Sequence, residues 1–161
     1  MDCEVALADF VASGPTPFWR SRLTALLALL RAVGHVLHKV DAGQNVQLKN
    51  AIDDAWGKLK KSKPEPRIFW EFIEEERNNV LKAYEFSARL NITVRPGTRH
   101  LSLSGQGYAD PSEPTTYESF MQAGVYGGRD AVEVFREAID FWQSFLGDVE
   151  SAAGLHTGPS V

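Results

Sequence analysis

Between Phe18 and Asp41 the large aliphatic residues Leu23, Leu26, Leu27, Leu30, Val33 and Leu37 recur at steps of three and four. That spacing puts them on one face of an α-helix. Thr16-Pro17 in front supplies an N-cap and a proline at the first helical position, and Ala42-Gly43 stops the run. A helix carrying so long an apolar stripe must lay it against other elements. The chain is therefore constrained toward a helical bundle.

The remaining segments supply the partners. Asp2 to Ala12 reads as a short helix ended by Ser13-Gly14-Pro15. Gln44 to Lys61 reads as a third helix with Leu48, Ile52, Trp56 and Leu59 inward, and Pro64 and Pro66 break the chain after it. Arg67 to about Arg89 reads as a fourth, with Phe69, Trp70, Ile73, Val80, Leu81 and Tyr84 on one stripe. Arg129 to Ala153, capped near Gly128, carries two adjacent stripes. One holds Val132, Phe135, Ile139, Trp142, Leu146 and Val149; the other holds Val134, Ala138, Phe141 and Phe145. That width asks for more than one neighbour, and a second subunit would serve. Trp19, Trp56, Trp70 and Trp142 fall one per long helix and read as core or interface anchors.

The period changes after Arg89. Leu90, Ile92 and Val94 alternate, as do Leu101 and Leu103, and Arg95-Pro-Gly-Thr98 between them suits a type II turn. A small hairpin is expected there. Thr115 to Gly128 reads either as a short strand or as an ordered excursion. The expected fold is mainly α: four to five helices with a small inserted β-hairpin, one domain over residues 1–153 and a disordered tail over 154–161.

Composition narrows the setting. A chain of 161 residues suits one domain with a sizeable core. Its single cysteine, Cys3, sits at an end expected to fray and allows no internal disulfide, which points to the reducing cytoplasm. The first residues lack the basic start of a signal peptide, and the apolar run Leu23 to Leu30 is short for a bilayer, so no membrane is expected. The net charge of −4 divides into +3 over residues 1–100 and −7 over 101–161. The acidic last third can face the basic middle within one chain or across a dimer, or both can be ordinary solvated faces.

Arg77 is the most pointed candidate for function, because it lies among the apolar positions of the fourth helix. A guanidinium there must line a cleft or find a carboxylate such as Asp130 or Glu133. Tyr84 is seven residues on and shares its face, and such a pair can bind a phosphate. Arg31 and His38, on one stripe of the second helix, can add a cationic ligand-binding cluster between the second and fourth helices. His35 and His38, three apart, can share a metal with glutamates drawn from Glu71, Glu74, Glu75 and Glu76. No Glu-x-x-His pattern occurs, and neither metal nor cofactor is expected. Lys58, Lys60, Lys61, Lys63 and Arg67 form the densest basic patch, and Arg89, Arg95, Arg99 and His100 decorate the hairpin. Such patches can track a nucleic-acid backbone, but no aromatic interleaves them and the net charge is negative, which favours a solvated helix end and hairpin. Gly124, Gly127 and Gly128 lack the lysine of a phosphate loop, and no Gly-x-Ser-x-Gly appears.

The stretch Glu76-Arg-Asn-Asn-Val-Leu-Lys-Ala-Tyr84 resembles the Arg-Asn…His motif of the HEPN superfamily. Its members are small bacterial helical bundles, often dimeric, found in toxin–antitoxin and defence systems, and the active ones are metal-independent RNases. The resemblance implies a homodimer, with Arg77 as the phosphate-binding arginine and Asn78 as its polar partner. It departs from the family at the general base, because the histidine positions hold Lys82, Ala83 and Tyr84. Lys82 or Tyr84 would need a strongly lowered pKa to replace imidazole. Two functions follow as expectations. One is an RNA- or nucleotide-binding protein whose RNase activity is impaired or absent. The other is a non-catalytic structural or interaction module that dimerises through its helices or binds a partner protein.

Overall fold

In the computed structural model the described residues are 2–12, 18–93 and 116–155. Helix α1, Asp2–Ala12, turns Cys3, Leu7 and Phe10 inward. Cys3 is therefore not frayed but buried, and burial pushes its thiol up from the usual range. Helix α2, Trp19–Lys39, buries Leu23, Leu26, Leu27, Leu30, Gly34 and Leu37. The expected cap at Thr16-Pro17 lies outside the described residues. By length and composition alone Trp19–Gly43 would also pass for a membrane-crossing helix. In this fold its leucine face is the centre of the bundle.

A short 3₁₀ turn, Asp41–Gly43, leads to α3, Val46–Lys61. Asn45 caps α3: its side-chain oxygen accepts the Leu48 N–H at 2.7 Å. The chain then reverses through Ser62 to Pro66. A π-helical segment, Ile68–Glu74, runs directly into α4, Glu75–Ala83. The fourth helix thus ends about six residues before Arg89, at Tyr84, whose backbone is left-handed (φ 57°, ψ 31°). Leu81 and Tyr84, expected on the buried stripe, are 48% and 65% exposed.

Strand β1, Ala88–Thr93, pairs antiparallel with β2, Thr116–Met121, in the register Ala88↔Met121 to Thr93↔Thr116. The partner of β1 is thus the segment that the sequence left undecided. Leu101, Leu103 and the Arg95–Thr98 turn lie outside the described residues. Helix α5, Ala131–Ala152, follows, with Asp130 as N-cap accepting the Glu133 N–H at 3.0 Å. The architecture is a mainly α bundle with a small two-stranded sheet.

Helix α5 packs on α1, α3, the π segment and β2, which bury most of both stripes and leave Val132, Phe141, Phe145 and Leu146 partly buried. Trp142 is fully buried and meets Trp56, Phe69, Phe141 and Phe145 at ring separations of 5.2–6.3 Å. A Cβ on Gly34 would stand 2.7 Å from the Trp142 ring, so α2 passes this point only as glycine. A second, smaller cluster of Leu37, Leu48, Ala51, Ile52 and Val149 closes the far end.

Candidate functional site

The π segment and α4 set the geometry. Ile68, Phe69, Phe72, Ile73 and Val80 are buried, and Glu76 lies among them at 5% exposure. Steps of four, three and four run from Phe69 through Ile73 and Glu76 to Val80. The charged residue at the centre of the stripe is therefore Glu76, with Arg77 half-buried at its edge. Arg77 Nη1 donates to Asn78 Oδ1 at 2.8 Å. Arg77 Nε is buried and has no hydrogen-bond partner among the described residues. Neither Asp130 nor Glu133 pairs with it; Asp130 is occupied as the cap of α5.

Arg31 is taken up by Glu74, at 3.2 Å. Farther along, Trp19 meets Phe86 with ring centroids 6.3 Å apart. Residues 19 and 31 of α2 thus face residues 86 and 74, so the two helices run antiparallel. From Glu74, Arg77 lies toward the Trp19 end and His38 toward the other. The structure does not assemble Arg31, His38 and Arg77 into one cluster. His38 is exposed near Asp53. The hydrogen bond from Lys49 first, and the Lys49 charge with it, hold the Asp53 carboxyl below the usual range. His35 is also exposed, and among the described residues no group of three or more His, Cys, Asp or Glu is placed to hold a metal.

The end of α4 opens into two adjoining cavities. Left-handed Tyr84 donates its N–H to Val80 O at 3.1 Å, and Glu85 N–H reaches Asn79 O at 3.2 Å. This closure throws the Tyr84 ring outward, edge-on to Phe86 at 5.0 Å. The Arg20 guanidinium lies 5.6 Å from the Trp19 ring and 5.8 Å from that of Phe86. Across the opening, Arg89 Nε donates to Gln122 Oε1 at 2.6 Å. Arg20, Tyr84, Glu85, Phe86, Arg89 and Gln122 line a cleft of about 430 Å³, with two guanidinium groups against one carboxylate. Guanidinium groups and aromatic rings in one concave surface are what a phosphate bearing a planar base requires.

The second cavity, about 370 Å³, has acidic side chains and no basic one in its lining. Glu71, Glu75 and Glu76 line it together with Phe72, Val125 and Tyr126. It shares Asn79, Ser87 and Ala123 with the first. Glu76 Oε1 accepts the Ser87 N–H at 2.8 Å, which fastens the start of β1 to α4. Burial chiefly, and next the charge of Glu137, push the Tyr126 phenol up to about 12.

Of the residues singled out from the sequence, Tyr84 lines the first cleft, Arg77 and Asn78 bond to each other, and Lys82 is exposed. Lys63, in the basic patch, sits 4.9 Å from the ring of Trp70, an aromatic contact not visible as interleaving in the sequence. Arg95, Arg99 and His100 lie outside the described residues. Sequence reasoning missed Arg20 and Phe86 as site residues and named Glu76 only among glutamates that could share a metal. A signal existed for Glu76, in its spacing from Phe69 and Val80. None existed for Arg20 and Phe86, which are 66 positions apart and meet only once the helix stops at Tyr84. Compared with family models, curated proteins and solved structures, the chain matches none.

Proposed function

We propose that this chain is an RNA- or nucleotide-binding helical bundle that holds its ligand at the end of α4 and does not cleave it. The observation that carries this reading is the cleft itself, where Arg20 and Arg89 flank Tyr84 and Phe86. Exposed aromatic faces between cations bind single-stranded nucleic acid with little sequence demand. The HEPN resemblance at Arg77 and Asn78 points to the same class of ligand. Loss of cleavage follows from the absence of histidine between residues 77 and 88, since no imidazole is there to shuttle the proton of a ribose 2′-hydroxyl. Lys82 and Tyr84, which hold two of the histidine positions, are both exposed. A cytoplasmic location goes with this reading.

The test is a titration of a fluorescent single-stranded RNA with wild type, Arg20→Ala, Arg89→Ala and Tyr84→Ala, at two salt concentrations, with product analysis on gels. The expected result is salt-sensitive binding that each substitution weakens, with the RNA intact. Binding that is unchanged in all three variants, or no binding by wild type, overturns the reading.

A second reading, an interaction module that dimerises through its helices, draws on a different surface. Between α3 and α5 runs a groove of about 930 Å³, lined by Asn50, Asp54, Lys58, Phe145, Asp148 and Ala152 among others. Sedimentation of wild type against Ala152→Arg tests it. A dimer that Ala152→Arg disperses supports this surface, and a wild-type monomer removes it.

A further inference from the structure

We propose that the ligand's base is guanine, read by the carboxylate of Glu76. This rests on the nucleotide-binding reading above and adds the identity of the base. Glu76 is the one charged residue buried among the described residues. Its Oε1 accepts the Ser87 N–H, and its other oxygen makes no hydrogen bond within the described residues. That oxygen is not sealed: it is absent from the buried polar atoms that lack a partner, and Glu76 lines the second cavity. A nearly buried carboxylate with unused lone pairs, opening on a cavity walled by Phe72, Val125 and Tyr126, calls for a donor from outside the chain.

Only some donors fit. A carboxylate accepts and does not donate, so the matching group must present N–H bonds with no acceptor between them. The Watson–Crick edge of guanine does this with N1–H and the N2 amino group side by side. Adenine and cytosine set a ring-nitrogen acceptor next to the amino group, and the single N–H of uracil lies between two carbonyls. Each of those would put a lone pair against Glu76.

The cavities also adjoin in the right order for one nucleotide. Ser87 touches Glu76 and lines both, and Arg89 stands two residues farther along the chain in β1, roughly 7 Å at strand rise. A base in the acidic cavity therefore directs its sugar and phosphate past Asn79 and Ser87 toward Arg89 and Arg20.

The experiment is calorimetric titration of the full chain with GMP, IMP, AMP and CMP, using wild type, Glu76→Gln and Arg89→Ala. IMP keeps N1–H and lacks the N2 amino group. Glutamine keeps an acceptor for the Ser87 N–H while turning a donor toward the base. The expected result is GMP tightest by roughly tenfold over AMP and CMP, the size of one bidentate base contact, with IMP between. Glu76→Gln should lose that preference and still bind AMP, and Arg89→Ala should weaken every nucleotide alike. If wild type binds all four equally and Arg89→Ala weakens them, the guanine assignment is overturned and the cleft survives. If wild type binds none, both readings fall. Should Glu76→Gln fail to fold by circular dichroism, the wild-type GMP-to-IMP ratio decides: a ratio near one overturns the assignment.

Discussion

The bundle around Trp142 and the cavities beside α4 obey opposite rules. At Trp142, rings from α3, α5 and the π segment fill the space so closely that α2 crosses only at Gly34. Beside α4, which stops early at Tyr84, two cavities open, and Glu76 in one of them carries unused bonding capacity. Even the sealed region is not free of polar cost, since the indole N–H groups of Trp56, Trp70 and Trp142 lack a partner among the described residues. It tolerates them because the burial of large rings outweighs them. The open region has no such surplus. Stability is concentrated at one place in this chain and chemistry at another.

Breaking the first region should produce the largest effect. Trp142→Ala removes a fully buried ring that touches several others, and is expected to cost about 3–5 kcal/mol in urea unfolding. A loss under about 1 kcal/mol would mean that the ring stack is not the centre of stability. Gly34→Ala comes next. Helix propensity favours alanine by about 1 kcal/mol, yet its methyl would stand 2.7 Å from a ring that cannot retreat. Overpacking of this kind costs about 1–3 kcal/mol, so the net change is destabilising, and a stabilised variant would refute the close approach.

In the second region, removal of the Glu76 acceptor should cost less. Glu76→Ala leaves the Ser87 N–H without its partner, and about 1 kcal/mol is expected. Glu76→Gln keeps the acceptor and should fall near zero in the same assay. Tyr126 sharpens the contrast with pH. Its folded pKa is raised to about 12, above that of an unfolded tyrosine, so its contribution to stability is complete below about pH 10. It is lost as pH rises from there toward 12. Tyr126→Phe keeps the ring contact with Phe72 and removes the proton. Between pH 9 and 12 the wild type should lose more stability than the variant. Parallel pH profiles would show that Tyr126 is not the group at work.

How much the sequence revealed follows the same division. The leucines of α2 and both stripes of α5 were legible because their side chains fill space at the helical period; the structure buries the α2 leucines and most of the α5 stripes, with Val132, Phe141, Phe145 and Leu146 partly buried. The early end of α4 was not. Tyr84 adopts a left-handed backbone that glycine or asparagine ordinarily signals, so the apolar pattern ran on past the true stop. The partner of β1 was equally hidden, because alternation marks a strand without saying which strand it pairs with. Glu76 was legible in principle: its place between Ile73 and Val80 is the same arithmetic that pointed to Arg77 one residue on. A wide π segment ahead of α4 then decides which of the two neighbours turns inward.

The smallest effect tests whether Tyr84 is kept for the fold or for the ligand. In the left-handed region a residue with a Cβ costs roughly 1–2 kcal/mol relative to glycine. Glycine gives back about 0.5–1 kcal/mol of that through the greater freedom of the unfolded chain. The Tyr84 ring is largely exposed and its one described ring contact is Phe86, so little packing is lost with it. Tyr84→Gly is therefore expected to stabilise the fold by about 0.5 kcal/mol in urea unfolding. The same variant should bind RNA more weakly, since one of the two aromatic faces in the cleft is gone. Gain in one assay with loss in the other identifies a strained residue retained for binding. A destabilised variant would instead make Tyr84 a structural cap, and the cleft would have to hold its ligand through Phe86 and the two arginines.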